Sequence, residues 1–174
     1  VLVTGKAYSI NWEKENIPAI LLQWYAGERA GESIADIIFG NTNPSGHLPV
    51  SFAQSAGHLP AVYNHLPGDR GYYKAPGTYQ APGRDYVFSS PAPLFAFGHG
   101  LSYTEFDYSG LTVEQKADSI IVRINVSNIG KRTGKAVPQL YVRDVASSVA
   151  TPVKQLKAFK KIELKPGETK SVDL

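Results

Sequence analysis

The hydrophobic pattern changes period once along this chain, and that change constrains the fold more than any other feature of the sequence. Up to about residue 40, apolar residues come in short runs and at helical spacing; beyond Ser102 they alternate one by one. Ile120, Val122, Ile124 and Val126 alternate with Ile121, Arg123, Asn125 and Ser127, the pattern of a strand buried on one face, and Asn128-Ile-Gly130 closes it with a turn. The expectation is an α/β part followed by an all-β part.

In the first part, residues 1–4 read as a buried strand entered from upstream, residues 8–15 as a short helix, and residues 19–24 as a second apolar run after Pro18. Ala30, Ile34, Ile37 and Ile38 stand at helical spacing, with Gly27 before them and Gly40 where a left-handed cap would fall, so residues 28–39 are predicted as helix. Asn41-Thr-Asn-Pro-Ser-Gly46 is a turn cluster, and residues 48–52 read as a short strand entered through Pro49. From residue 55 to about 93 the chain is rich in Gly, Pro and Tyr without a sustained period. A loop of that length is usually functional or disordered, and its tyrosines argue for order, because ring burial offsets part of the ordering entropy. Further strands are predicted at residues 139–144, 153–162 and 169–174, with Lys165-Pro-Gly-Glu168 turning between the last two. Four or five strands fall short of the seven or so of a fibronectin-type sandwich, so the reading expects the chain to stop before its last strands.

Composition narrows the function. The charge of +3 arises from 18 basic and 15 acidic residues spread along the chain, with no basic stripe to track a phosphate backbone, so nucleic acid is not an expected partner. No stretch approaches the run of about 20 apolar residues that a membrane helix needs. Cysteine is absent, which removes disulfides, thiol nucleophiles and cysteine-ligated zinc.

Candidate chemistry is sparse. Glu28 and Glu32 would lie four apart on one helix face, but acidic residues in a first turn ordinarily complement the helix dipole in solvent. Gly98-His-Gly100 lacks the rest of a dinucleotide fingerprint and reads as a hinge anchored by Phe95, Phe97, Leu101 and Tyr103. His47, His58, His65 and His99 show no metal-ligand spacing, and neither metal nor cofactor is expected. Asn125-Val-Ser127 matches a glycosylation acceptor but falls inside a predicted strand. The loop is the exception: Tyr72, Tyr73, Tyr79, Arg84, Asp85 and Tyr86 offer flat apolar faces and hydrogen-bond donors suited to sugar rings.

Four strings carry a resemblance. Trp24-Tyr-Ala-Gly-Glu28, Ala35-Asp-Ile-Ile-Phe-Gly40, Asn43-Pro-Ser-Gly-His-Leu-Pro-Val-Ser-Phe52 and Phe97-Gly-His-Gly-Leu-Ser-Tyr103 together resemble the ordered signatures in the second half of family 3 glycoside hydrolases. Gln139-Leu-Tyr-Val-Arg-Asp144, Pro152-Val-Lys-Gln-Leu-Lys157 and Leu164-Lys-Pro-Gly-Glu-Thr169 are similar to the fibronectin III-like domain that ends many of these enzymes. The resemblance implies part of an α/β sandwich domain over residues 1–97, a junction at 98–110, and an incomplete fibronectin III-like β-sandwich at 111–174. It also implies a parent enzyme with a (β/α)8 barrel, acting with retention on β-linked oligosaccharides or on aryl or alkyl β-glycosides of glucose or xylose. Its nucleophile is an aspartate on the barrel and its acid/base a glutamate upstream of residue 1, so no catalytic residue is assigned to this chain.

Retaining hydrolysis needs two carboxyl groups about 5 to 5.5 Å apart, and the chain alone is therefore expected to be inactive. Arg84 and Tyr86 are expected at the rim of the parent's substrate cleft. The likeness implies a periplasmic or secreted bacterial protein, and a homodimer is one arrangement that it admits. Two other classes remain open at this point: a non-catalytic carbohydrate-binding module and a purely structural or interaction role.

Overall fold

The computed structural model describes residues 1–67, 79–80, 90 and 92–174. The chain separates into two compact units, each built from three stretches of sequence. The first comprises Val1–Glu28, Leu48–His99 and Arg143–Gln155; the second comprises Arg29–His47, Gly100–Val142 and Leu156–Leu174.

The first unit opens with a strand, helix and parallel strand: β1 (Leu2–Val3), α1 (Asn11–Asn16) and β2 (Leu22–Gln23), with Leu2 opposite Leu22 and Val3 opposite Gln23. Helix α1 is short because Pro18 follows its last turn, and a residue before proline is driven out of the helical region: Ile17 is already extended at ψ 122°. Ile10, Phe52 and Leu94 form the buried centre, with Leu2, Leu22, Trp24 and Phe95 packed against them.

The strand expected at residues 48–52 reduces to two separate pairings. Leu48 exchanges hydrogen bonds with His99 and Gly98 (2.8 and 2.8 Å), and Phe52 with Phe95 and Leu94 (2.8 and 2.7 Å). Between them Pro49 has no N–H to donate, and the Phe97 amide turns instead to the Ser51 hydroxyl (3.3 Å). The ladder is broken there.

The second unit begins with α2 (Ala30–Ile38), where the predicted helix lies. Gly40 takes φ +75°, the left-handed cap expected of it, and its amide donates to Ile37 O (3.0 Å). Seven strands follow residue 105, more than the sequence suggested: β3 (Phe106–Gln115), β4 (Ile120–Asn128), β5 (Gly134–Ala136), β6 (Gln139–Val142), β7 (Gln155–Phe159), β8 (Ile162–Leu164) and β9 (Thr169–Asp173). They pair as an antiparallel three-stranded sheet in the order β3-β4-β9, with β5 against β8 and β6 against β7.

The longest strand, β3, was not foreseen, because a β-bulge between Ser109 and Thr112 shifts its register. Gly110, at φ +61°, makes that bulge, so the apolar parity passes from Phe106 and Tyr108 to Leu111 and Val113 and no simple alternation survives. Val126, Ala136, Leu164 and Val172 form the core between the sheets, flanked by Phe106, Ile124 and Ile162.

One buried polar residue closes this core. The side chain of Asn128, a residue 1% exposed, makes four hydrogen bonds. Its Oδ1 accepts from the Thr104 hydroxyl (2.7 Å) and the Gly130 amide (3.1 Å), and its Nδ2 donates to Arg132 O (2.7 Å) and Leu164 O (3.0 Å). Every hydrogen-bonding position of the side-chain amide is thereby used.

Candidate functional site

Arg84 and Tyr86, the two side chains singled out for a substrate rim, lie outside the described residues, as do Tyr72, Tyr73 and Asp85. What is described is the frame in the first unit from which their loop departs and to which it returns. On the departing side His65 is 9% exposed; its Nδ1 meets Leu66 O at 3.0 Å and its carbonyl accepts from the Val153 amide (2.9 Å). On the returning side Ala92 O accepts from Gln54 Nε2 (2.8 Å), and Gln54 O accepts in turn from Asn11 Nδ2 (2.7 Å). Lys14 Nζ donates to Leu94 O (3.0 Å) and stands 5.3 Å above the Phe95 ring, so α1 holds the same segment through charge and through packing.

Aromatic rings make this frame stiff. Trp24 lies 6.3 Å from Phe52, Phe52 meets Phe95 edge-on at 6.1 Å, and Phe95 meets the His99 ring at 5.5 Å. Tyr63 stacks on Phe97 at 4.1 Å with the planes 13° apart. Such pairs stabilise by about 0.5–1.5 kcal/mol each beyond their burial. Tyr79 itself is 80% exposed.

The carboxylate pair proposed for one helix face does not form. Glu28 lies in the turn before α2, and both oxygens of Glu32 are taken by the exposed guanidinium of Arg29, with Nε to Oε2 at 2.6 Å. Other described carboxylates are also paired on the surface: Asp173 with Arg123 (2.6 Å), Glu168 with Lys170 (3.2 Å), Glu163 with Lys135 (3.8 Å) and Glu114 with Lys116 (3.8 Å). The hydrogen bond from Arg123 holds the Asp173 carboxyl below its usual range, and the Lys165 amide does the same for Glu168. A glycosidic general acid needs the opposite shift. The second unit also has an apolar trough of about 240 Å³ lined by Tyr108, Leu111, Val122, Ile124, Pro138 and Leu174. Burial raises the Tyr108 phenol there, and no Asp or Glu side chain is among the described residues that line the trough.

The glycine motif has backbone reasons. Gly98 sits at φ +79°, and a side chain on Gly100 would run into the carbonyl of Gly46. Of the four residues expected to anchor this stretch, Phe95 and Phe97 pack as described above and Tyr103 donates its hydroxyl to Ile37 O (2.9 Å). Leu101, by contrast, is 77% exposed. Among the described residues no three His, Cys, Asp or Glu side chains are placed to hold a metal ion, and no helix is long and apolar enough to cross a membrane.

Sequence reasoning placed Asn43 in a turn cluster and in a family string but gave its side chain no role, yet it makes three hydrogen bonds. Its Oδ1 accepts from Ser102 Oγ (2.9 Å) and the Tyr103 amide (2.8 Å), and its Nδ2 donates to Thr133 O (3.0 Å). An asparagine just before a proline turn was the available signal.

Comparison with known proteins agrees with this description. Residues 1–103 match the Glycosyl hydrolase family 3 C-terminal domain and residues 136–174 match a Fibronectin type III-like domain. The chain is 43% identical to the periplasmic beta-glucosidase of Salmonella typhimurium and 44% identical to a beta-xylosidase of Formosa agariphila, in each case over 99% of its own length. A solved β-glucosidase structure from Erythrobacter marinus superposes over 99% of the chain with TM-score 0.86 at 41% identity, and one from Listeria innocua with 0.83 at 37%. The chain spans only 23% of the length of those two curated relatives and 22% and 24% of those two structures. With the family 3 match covering residues 1–103 of the 174, this chain belongs to glycosyl hydrolase family 3, as a C-terminal portion joined to fibronectin III-like sequence.

Proposed function

We propose that this chain is the C-terminal part of a retaining β-glycosidase that hydrolyses β-glucosides or β-xylosides and works in the periplasm or outside the cell. The observation that carries this reading is the 43% and 44% identity, sustained over 99% of the chain, to proteins named as a periplasmic β-glucosidase and a β-xylosidase. In the family's terms residues 1–97 are the end of the α/β sandwich domain, 98–110 the junction and 111–174 the fibronectin III-like domain. The reacting carboxyl groups belong to the remainder of the enzyme, with its (β/α)8 barrel. The Asp173 and Glu168 carboxyls, both held below their usual range, support that assignment, since a glycosidic general acid needs the opposite shift.

The contribution of this chain to catalysis is then to hold a loop. Contacts of Gln54, Lys14, His65 and the stacked aromatic rings flank the segment that carries Arg84 and Tyr86, and these two residues are assigned to the outer rim of the parent's substrate cleft. Arg84→Ala and Tyr86→Ala in the whole enzyme test this: kcat/KM on β-linked oligosaccharides falls about 10-fold or more, the scale of one lost charged hydrogen bond or one ring contact. Aryl glycosides with short leaving groups are affected less. Unchanged kcat/KM on oligosaccharides in both variants refutes the rim assignment.

A further inference from the structure

We propose that the two compact units of this chain fold and unfold as one system, coupled by the path of the backbone. Six segments alternate between the units (1–28, 29–47, 48–99, 100–142, 143–155 and 156–174), so the chain passes from one to the other five times. Neither unit can be cut away as a continuous piece.

Within each unit the separated segments are tied by specific contacts. In the second, Asn43 joins segment 29–47 to Ser102, Tyr103 and Thr133, and Tyr103 bonds back to Ile37. In the first, Lys14 and Asn11 join segment 1–28 to Leu94 and Gln54, while the Val153 amide joins segment 143–155 to His65.

A folded unit therefore acts on the other as a set of crosslinks. With the first unit ordered, segments 29–47 and 100–142 are already closed into loops of 19 and 43 residues (47 − 29 + 1 and 142 − 100 + 1). Loop-closure probability falls as the three-halves power of length, so each pre-closed loop favours ordering of the second unit by a factor on the order of 100. The reciprocal holds for 48–99 and 143–155. Disorder in either unit withdraws this advantage from its neighbour, which is the condition for a single transition.

The two tryptophans, Trp12 and Trp24, both lie in the first segment of the first unit, so tryptophan emission reports that unit alone, whereas far-UV circular dichroism is dominated by the strands of the second. Urea unfolding of the 174-residue chain is followed by both probes, for the parent and for Asn43→Ala in the second unit. The expected result is coincident transitions in the parent and an equal fall of both midpoints in the variant. An unmoved tryptophan midpoint, or a dichroism curve that splits in two, overturns the proposal. Ser102→Ala, which removes only one of the three Asn43 bonds, gives the same reading with a smaller shift if Asn43→Ala does not fold.

Discussion

Replacing Asn128 with alanine removes four hydrogen bonds at once from a site that water does not reach. Two of the partners, the Thr104 hydroxyl and the Leu164 carbonyl, belong to residues 8% and 0% exposed; Arg132 is exposed and Gly130 half-buried, so their groups can turn to solvent. An orphaned buried group costs about 1–3 kcal/mol and a bond replaced by water about 0.5 kcal/mol. Two of each sum to about 3–7 kcal/mol, before any term for the space left behind. That is a large share of the ~5–15 kcal/mol that holds a typical domain together. Urea unfolding followed by circular dichroism reads the loss directly, with Asn125→Ala on the opposite face of β4 as the control, expected within about 1 kcal/mol of the parent.

Asn128→Asp sharpens the test. The carboxylate still accepts from Thr104 and Gly130 but now faces the Arg132 and Leu164 carbonyls with a lone pair where a donor stood. Its folded pKa is raised above the unfolded value of about 3.9, so its penalty is smallest below that value and grows as pH rises towards the folded pKa. The variant should therefore lie closer to the parent at pH 4 than at pH 7. A loss below about 1 kcal/mol for Asn128→Ala, or an Asn128→Asp penalty independent of pH, would refute the reasoning.

Gly100→Ala sets a methyl group against the Gly46 carbonyl, and a backbone shift there should lower stability by about 2 kcal/mol, measured by the same titration. Phe52→Ala empties the centre of the first unit, where Phe52 is 2% exposed beside Trp24; a loss of about 3–5 kcal/mol and a red-shifted tryptophan emission are expected. Asp173 and Glu168 have folded pKa values below the ordinary carboxylate range, so their contribution is present above about pH 4 and is lost as pH falls through the folded values. Thermal melts between pH 5 and pH 2 should show that decline, and Arg123→Gln, which removes the principal cause of the Asp173 shift, should make it shallower.

Much of the fold could be read ahead of the structure wherever local chemistry and burial agree. Helix α2 was visible because Ala30, Ile34, Ile37 and Ile38 share one face and Gly40 stops it; β4 was visible because its alternation runs unbroken into the Asn128-Ile-Gly130 turn. Strand β3 was hidden by a single bulge at Gly110, since one extra residue reverses the parity on which period-two reading depends. The predicted strand over 153–162 is two strands, β7 and β8, separated at Lys160 and Lys161, and β5 has three residues, too few to show any period. The strand at 48–52 was misread because an apolar run says nothing about whether Pro49 can join a ladder. Of the candidate site, Arg84 and Tyr86 lie outside the described residues, and only the aromatic composition around them was open to a sequence reading. Gln54 and Lys14 bond to the backbone carbonyls of Ala92 and Leu94, 38 and 80 residues away, and no local pattern encodes such pairings.

The assignment of hydrolysis to a larger enzyme is tested most directly by assaying this 174-residue chain on aryl β-glucoside and aryl β-xyloside beside the whole enzyme. The account predicts turnover by the whole enzyme and none by the chain, with the chain still showing a cooperative unfolding transition. Turnover by the chain itself, abolished by Glu28→Gln or Glu32→Gln, would contradict it and place the reacting carboxyl groups within these residues.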